Sequence, residues 1–193
     1  MSNPGIILPI AAPSGTGKTT VCRRLLEQDK RFVFSISATT RKPRKMEQEG
    51  VDYHFLSRTQ FEDYIRQGKL AEYEQVFENY YGTLRSTLDE ALAVGHILLL
   101  DIDVKGALAI KNLYPEQTIA IFLWPPSQDE LLRRLKGRGT DDAQSIAIRN
   151  ARIPAETKLA EQFDHQIVND KLDRTVEVIM TIIKEYTTND TNA

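Results

Sequence analysis

The sequence lacks the features that mark secreted, membrane-spanning and nucleic-acid-binding proteins. Its single cysteine, Cys22, excludes an internal disulfide, which is compatible with a reducing compartment. No apolar stretch approaches the roughly 18 residues of a membrane-spanning helix, and the N-terminal residues do not read as a signal peptide. The 25 basic and 27 acidic residues give a formal charge of −2, without the basic excess typical of nucleic-acid binding. We therefore expect a cytoplasmic protein with no membrane or nucleic-acid partner.

Strand-like and helix-like patterns alternate along most of the chain, whose 193 residues suffice for one substantial core. Apolar runs typical of strands occur at residues 6–10, 96–100, 118–123 and 165–168. Helical patterns occur at residues 18–28, 57–68, 87–93, 127–135 and 171–186. This alternation predicts an α/β fold in which a parallel sheet has helices on both faces. Residues 36–86 and 137–157 interrupt it and predict insertions at the carboxyl edge of the sheet, where ligands bind in such folds.

Local signals predict where several of these helices begin and where the last one ends. Ser and Thr residues stand three positions before Glu or Gln in three places, the spacing of a capping box. These pairs are Ser57 with Gln60, Thr87 with Glu90, and Ser127 with Glu130. Residues 187–193 are polar, and we expect them to fray.

A glycine-rich segment at residues 12–19 reads Ala-Pro-Ser-Gly-Thr-Gly-Lys-Thr and separates the first strand from the first helix. In this context, backbone N–H groups and the positive end of the helix dipole can surround a polyphosphate. Lys18 is expected to reach the β- and γ-phosphates and Thr19 to bind Mg²⁺. A polar surface turn, the alternative, does not need Lys and Thr at this spacing. The segment predicts a nucleoside triphosphate site; Ala12, where glycine is usual, costs little if its φ is negative.

The first insertion contains a group of side chains suited to a second phosphate. Arg41 and Arg44 lie three residues apart and can both donate to one phosphate group. The hydroxyl groups of Tyr53 and Tyr81 can donate to the same oxygens. The alternative is that the arginines are solvated surface charges and the tyrosines pack a small sheet.

The same insertion also contains groups that can distinguish guanine from adenine. The carboxylate of Glu72 can accept two parallel hydrogen bonds from guanine N1–H and N2–H₂, which adenine does not offer. The hydroxyl groups of Ser37 and Thr83 can meet the guanine O6 and N7 acceptors. These residues predict a purine-reading site next to the second phosphate site.

The chain resembles the guanylate kinases in the order and spacing of short runs across nearly its whole length. Besides the phosphate loop, these runs are residues 37–44, 52–55, 79–83, 100–106, 125–127, 138–141 and 167–170. The resemblance implies a P-loop-type core with an inserted GMP-binding lobe and a lid. The core would comprise residues 1–35, 87–136 and 158–193, the lobe 36–86 and the lid 137–157. It also implies the Mg²⁺-dependent reaction ATP + GMP ⇌ ADP + GDP, with dGMP as a weaker acceptor, in a monomer or a homodimer.

The resemblance further implies which residues contact each substrate. Those implied to bind ATP are Pro13, Ser14, Gly15, Thr16, Gly17, Lys18, Thr19, Thr20 and Asn169. Those implied to bind GMP are Ser37, Arg41, Arg44, Tyr53, Glu72, Tyr81, Thr83, Asp101 and Asp103. The implied catalytic residues are Lys18, Arg41, Arg138 and Arg149, of which the last two belong to the lid. Thr19 is implied to hold Mg²⁺ with phosphates and waters, and Asp101 to contribute through water.

Two other functions stay open on the sequence alone. One is a kinase of the same superfamily that acts on another phosphorylated acceptor, such as a sugar phosphate; Glu72 would then have no guanine to read. The other is a binding module like the guanylate-kinase-like domains of scaffold proteins, which typically lose the working loop that Lys18 and Thr19 retain here. Met46 and Glu78 depart from the family pattern in the predicted lobe, but neither departure removes a proposed ligand.

Overall fold

A computed structural model describes residues 5–127, 129–131, 133 and 154–190. In chain order its strands are β1 (Ile6–Ala11), β2 (Phe32–Phe34), β3 (Ala38–Thr39), β4 (His54–Phe55), β5 (Leu70–Val76), β6 (Asn79–Leu84), β7 (Ile97–Asp101), β8 (Ile121–Trp124) and β9 (His165–Val168). Its helices are α1 (Lys18–Gln28), α2 (Arg58–Arg66), α3 (Arg85–Ala93), α4 (Val104–Leu113) and α5 (Leu172–Asp190), with a short 3-10 helix at Ala160–Gln162. Residues 129–131, 133 and 154–158 are also helical.

The main sheet has five parallel strands in the order β2-β7-β1-β8-β9. Every residue of β1 is buried, because helices cover both faces of the sheet. Ile6, Leu8 and Ile10 pack with α1 and α5, whereas Ile7 packs with α3 and α4. This alternation along one strand confirms the predicted α/β fold with a parallel sheet between two layers of helices.

A second, smaller sheet lies within residues 38–84 and has the strand order β4-β3-β6-β5. Its hydrophobic core contains the buried residues Ala38, Phe61 and Leu70, and Phe61 stacks on Tyr80 with ring centroids 5.3 Å apart. Helix α2 begins with the predicted capping box of Ser57. This sheet is joined to the main one through α4, which packs against both β5 and β1.

Several predicted boundaries were wrong, and two elements were not predicted. Strand β6 runs directly into α3, so this helix begins at Arg85 with Leu84 as its N-cap, and the box at Thr87 does not form. Strand β8 begins at Ile121, and Thr118 forms a single bridge to Ile7. Helix α5 continues to Asp190 where fraying was expected. Strand β2 and helix α4 have no counterpart among the predictions.

Backbone conformation resolves two of the departures from the family pattern. Among the described residues, Phe77 is the one non-glycine residue with a positive φ, 55°, so Ala12 has the negative φ that was expected to tolerate alanine. Phe77 lies at the tip of the β5–β6 hairpin and is 76% exposed. The unusual backbone of this turn therefore falls on Phe77 and not on its neighbour Glu78.

No helix in the described part of the chain combines the length and apolarity needed to span a membrane.

Candidate functional site

The loop between β1 and α1 has the backbone of an anion-binding site. Gly15 and Gly17 adopt φ values of 94° and 98°, which side-chain-bearing residues rarely reach. The hydroxyl of Thr16 donates to the carbonyl oxygen of Pro13 at 2.7 Å and closes the turn. Helix α1 has no acidic residue in its first turn, so its positive dipole end is not neutralised from within. The loop therefore presents the field and the donors that a polyphosphate requires.

Lys18 and Thr19, the first two residues of α1, both contact the carboxyl end of β7. The Lys18 ammonium lies 2.7 Å from Asp101 Oδ1 and donates to the carbonyl oxygen of Ile102 at 2.6 Å. The Thr19 hydroxyl donates to Asp101 Oδ2 at 2.9 Å. One carboxylate thus holds both polar side chains of the loop on the side where the strands end.

Asn169 lies beneath the loop, after β9, and is 6% exposed. Its side-chain amide donates to the carbonyl oxygen of Thr16 at 2.8 Å, and its Oδ1 accepts a hydrogen bond from the Thr175 hydroxyl at 3.0 Å. Thr175 is buried in α5. Asn169 therefore ties the phosphate loop to the C-terminal helix; the role of Thr175 had no signal in the sequence.

A second polar pair occupies the inner face of the small sheet. The Thr83 hydroxyl, fully buried in β6, donates to Glu72 Oε1 at 2.5 Å. Burial raises the pKa of Glu72 to about 7, and the nearby carboxylate of Asp103 adds to this rise. A Cβ added to Gly106 would lie 3.0 Å from Glu72 Oε2, a tighter contact than side chains normally make, so glycine lets α4 approach the carboxylate without displacing it. Glu72 is therefore a largely desolvated acceptor.

Arg41 lies in the segment between β3 and β4 and pairs with a residue that was not predicted. Glu47 binds its guanidinium end-on, with both N–O distances at 2.9 Å, and also accepts the backbone N–H of Arg44 at 2.7 Å. The guanidinium lies 5.2 Å from the ring centroid of Tyr53, which meets the ring of Tyr81 edge-on at 6.2 Å. The structure thus brings together the four residues predicted to bind a second phosphate, although Arg44 itself is exposed.

The remaining predicted residues fall into three groups. Ser37 lies just before β3, half-buried, and its carbonyl oxygen accepts a hydrogen bond from His54 N–H at 2.9 Å. Thr20 is exposed on the first turn of α1. The predicted lid residues Arg138 and Arg149 lie outside the described residues.

Asp103 stands where the two halves of the site meet. It caps α4 by accepting the N–H of Gly106 at 2.9 Å. It lines a cleft of about 280 Å³ against the phosphate loop and another of about 550 Å³ against Glu72 and β5. The two clefts therefore share one carboxylate; of the residues predicted to bind GMP, the second cleft contacts only Glu72 and Asp103.

The residues present are of the kind that binds Mg²⁺ together with phosphate oxygens. The Thr19 hydroxyl and an Asp101 carboxylate oxygen lie 2.9 Å apart beside the loop. Mg²⁺ prefers such oxygen donors and is usually held by one or two carboxylates plus substrate phosphates. In the part of the chain that is described, no group of three or more His, Cys, Asp or Glu side chains forms a metal site made of protein ligands alone.

The family model, the curated relatives and the solved structure described next all belong to the guanylate kinases. A family model described as guanylate kinase matches residues 4–186. A guanylate kinase of Salinibacter ruber is 47% identical over 181 residues, which cover 93% of this chain and 96% of the relative. One of Chlorobium luteolum is 46% identical over 182 residues, covering 94% and 92%. The crystal structure of guanylate kinase from Anaplasma phagocytophilum matches with a TM-score of 0.74 at 33% identity, covering 97% of this chain and 88% of that chain.

Proposed function

Because the chain belongs to the guanylate kinase family, whose members phosphorylate GMP with ATP, we propose that ATP binds at the phosphate loop and GMP at the small sheet, with Asp103 between them. The chain is an ATP:GMP phosphotransferase. A sugar-phosphate kinase and a phosphopeptide-binding module, the two alternatives, do not account for a phosphate loop and a guanine-reading carboxylate in one molecule. The role of each residue in this reaction is proposed below from its position in the site.

ATP occupies the cleft of the phosphate loop in this proposal. Backbone N–H groups of residues 13–20 surround its phosphates, and Lys18 turns from Asp101 toward the β- and γ-phosphate oxygens. Thr19 holds Mg²⁺ together with the phosphates, and Asp101 contributes through water. When bound there, Mg²⁺ neutralises charge on the β- and γ-phosphates. Asn169 acts on ATP through the carbonyl group of Thr16, which it holds at 2.8 Å.

GMP binds to the face of the small sheet that carries Glu72 and Thr83. Glu72 accepts the guanine N1–H and N2–H₂ groups, while Ser37 and Thr83 complete the contacts to the base. The GMP phosphate is bound by Arg41 and by the donors beside it, namely Arg44, Tyr53 and Tyr81. Asp101 and Asp103 lie between the two substrates and orient GMP toward the loop.

Phosphoryl transfer then needs alignment and charge neutralisation more than it needs a base. The acceptor is a phosphate oxygen whose second pKa is about 6, so it is largely anionic near neutral pH. Lys18 neutralises the transferring group while Arg41 holds the acceptor in line with it. Arg138 and Arg149 stay predictions for the same role from the lid, whose closure would exclude water.

The proposed division of the chain follows from this assignment. The core comprises residues 1–35, 87–136 and 158–193, the GMP-binding lobe residues 36–86, and the lid residues 137–157. The position of the whole second sheet within residues 38–84 supports the lobe. A cytoplasmic location and a monomeric or homodimeric state stay predictions.

The observation that carries the GMP assignment is the half-buried Glu72–Thr83 pair, since adenine would offer this carboxylate no matching pair of donors. The test is a panel of nucleoside monophosphates in an ADP-release assay with ATP and Mg²⁺. GMP should be the best acceptor and dGMP a weaker one, with AMP, CMP and UMP near background. Turnover of AMP equal to that of GMP would contradict the assignment of Glu72.

A further inference from the structure

Glu47 is a shielded carboxylate within an exposed stretch of chain. Residues 42–46 before it and 48–52 after it are all exposed, and Met46 reaches 85%. The Glu47 side chain, in contrast, is only 16% exposed, and that of its partner Arg41 is 17% exposed. A glutamate in such a stretch normally extends into water, so this one is held by specific contacts.

These contacts fix two arginines through one carboxylate. Oε1 and Oε2 of Glu47 take the two terminal nitrogens of Arg41, and Oε2 also accepts the backbone N–H of Arg44. The bonds from Arg41 and Arg44 hold the pKa of Glu47 below its usual range, so the carboxylate stays ionised. Glu47 therefore sets both the direction of the Arg41 side chain and the path of the backbone at Arg44.

The donors that Arg41 retains have the geometry that a phosphate accepts. A guanidinium carries five N–H donors. Nη1 donates to Glu47 and to the carbonyl oxygen of Lys42, and Nη2 donates once to Glu47. None of these bonds uses Nε–H or the second Nη2–H, which are parallel on one edge of the planar group. Such a parallel pair forms the bidentate bond of arginine to phosphate. The hydroxyl groups of Tyr53 and Tyr81 also interact with the guanidinium, so a phosphate at this edge would share it with them.

We propose that Glu47 is a positioning residue for the acceptor substrate: it orients Arg41 so that the Nε–Nη2 edge faces the GMP phosphate, and it holds Arg44 beside it. This inference rests on the proposed role of Arg41 in binding that phosphate. Glu47 itself does not touch GMP. The long arginine side chain is already ordered when the protein folds. GMP binding therefore incurs little further entropic cost for immobilising it.

The opposite effect is physically reasonable and has to be tested. A carboxylate near a dianionic phosphate repels it, and Glu47 also neutralises part of the charge of Arg41. Were this repulsion the larger effect, removal of the charge would tighten GMP binding. Positioning and repulsion therefore predict changes of opposite sign in the same variant.

The test is Glu47→Gln, which keeps the size of the side chain but removes its charge and one acceptor oxygen. We expect the KM for GMP to rise by roughly tenfold to a hundredfold, as for other residues that orient a ligating group, with the KM for ATP unchanged. Affinity for guanosine, which has no phosphate, should stay within about twofold in equilibrium binding. A collapse of the lobe would weaken guanosine and GMP alike and would overturn the proposal, as would a lower KM for GMP.

Glu49→Gln is the matched control, because Glu49 lies in the same segment and also uses both oxygens. It accepts the N–H of Phe55 at 2.7 Å and contacts His54 at 3.2 Å, but it contacts neither arginine. Its KM for GMP should stay within about twofold of the unmodified protein. Equal effects of the two changes would reduce Glu47 to a general support of the segment and overturn the proposal.

Arg41→Gln distinguishes the positioning role of Glu47 from the proposed phosphate site on which that role depends. If Arg41→Gln leaves GMP affinity unchanged, the proposed phosphate site fails, and the role of Glu47 fails with it. If Arg41→Gln weakens GMP and Glu47→Gln does not, only the positioning role fails. If Glu47 acts mainly through Arg41, adding Glu47→Gln to the Arg41→Gln protein should cost much less GMP affinity than Glu47→Gln costs alone, the remainder being its effect through Arg44.

Discussion

The phosphate loop and the proposed guanine pocket, formed by Glu72 and Thr83, differ in how their charged groups are solvated. At the loop, Lys18 and Thr19 share the carboxylate of Asp101, and Asn169 uses its amide and its carbonyl oxygen. At the pocket, Glu72 depends on Thr83 for its hydrogen bonds, and burial raises its pKa to about 7. The side chains of Lys18, Thr19 and Asn169 thus have partners before ATP arrives, whereas the pocket holds an acceptor that is poorly solvated until a base supplies donors. In the proposed assignment the phosphate loop serves catalysis, and the pocket around Glu72 selects the base.

The largest expected effect comes from breaking the loop side with Lys18→Ala. The γ-phosphoryl group would lose a cation that contacts it in the transition state, so kcat/KM should fall by about 10³-fold or more. Guanosine affinity should not change, because Lys18 is assigned to the other cleft. Steady-state kinetics with equilibrium binding of guanosine check both statements. Lys30→Ala, an exposed lysine after α1, is the control and should be neutral; activity retained by Lys18→Ala would contradict the donor assignment.

A smaller effect is expected for Glu72→Gln in the guanine pocket, where activity should fall while the stability of the substrate-free protein rises. An amide cannot accept both guanine donors, so kcat/KM for GMP should fall by about 10²-fold, with the KM for ATP unchanged. Because the folded-state pKa of about 7 lies above the ordinary 4.5, the ionised carboxylate destabilises the fold above pH 7. The free energy of unfolding of the substrate-free variant should therefore increase at pH 8 by as much as about 3 kcal/mol.

This gain in stability should disappear below about pH 4.5, where Glu72 is protonated in both the folded and the unfolded chain. Denaturant unfolding at pH 8 and at the lowest pH where the fold persists measures the difference. Glu78→Gln, at the exposed hairpin tip, should alter neither activity nor stability. A variant that loses stability at pH 8 would show that Glu72 supports the fold as an anion and would contradict its assignment as a poorly solvated acceptor.

The smallest expected effect is a pH dependence confined to the pocket. The ionised form of Glu72 accepts guanine, so guanosine affinity should fall below pH 7 and approach a tenfold loss per pH unit. ATP affinity should change far less over the same range, because ATP is assigned to the phosphate loop and does not contact Glu72. Equilibrium binding from pH 8 to pH 5.5 tests this, and Glu72→Gln should remove the guanosine dependence. Parallel curves for the two ligands would place the titrating group outside the pocket.

The sequence predicts the two regions unequally, for a physical reason. The loop is contiguous, and its glycines, Lys18 and Thr19 do their work within one turn of chain, so local spacing predicts it. The Asp101 partner and the Asn169 contact depend on pairing of distant strands. Asn169 is separated from Thr16 by 153 positions. The pocket is assembled from separate strands and a helix, so its residues form no local motif. Their function could therefore be inferred only from the family resemblance.

The fold follows the same division between local and distant information. Helices with strong local signals, such as α1 and α2, have the predicted bounds to within about two residues, which is the usual uncertainty of helix ends. Helix α4 was missed because Gly106 lies in its first turn and weakens the helical pattern. Glu47 was not singled out because nothing in its local sequence indicates that it folds back onto Arg41.

Gly106 gives the molecule a property that neither sheet has alone. The wall of the guanine pocket opposite β5 is supplied by α4, which also packs on β1 of the main sheet. In the proposed complex the base would contact both sides of this gap, so a rotation of the small sheet against the main one would change how the base fits. We therefore expect a bound guanine to fix the angle between the two sheets, whereas a molecule that contacts one side alone would leave that angle free.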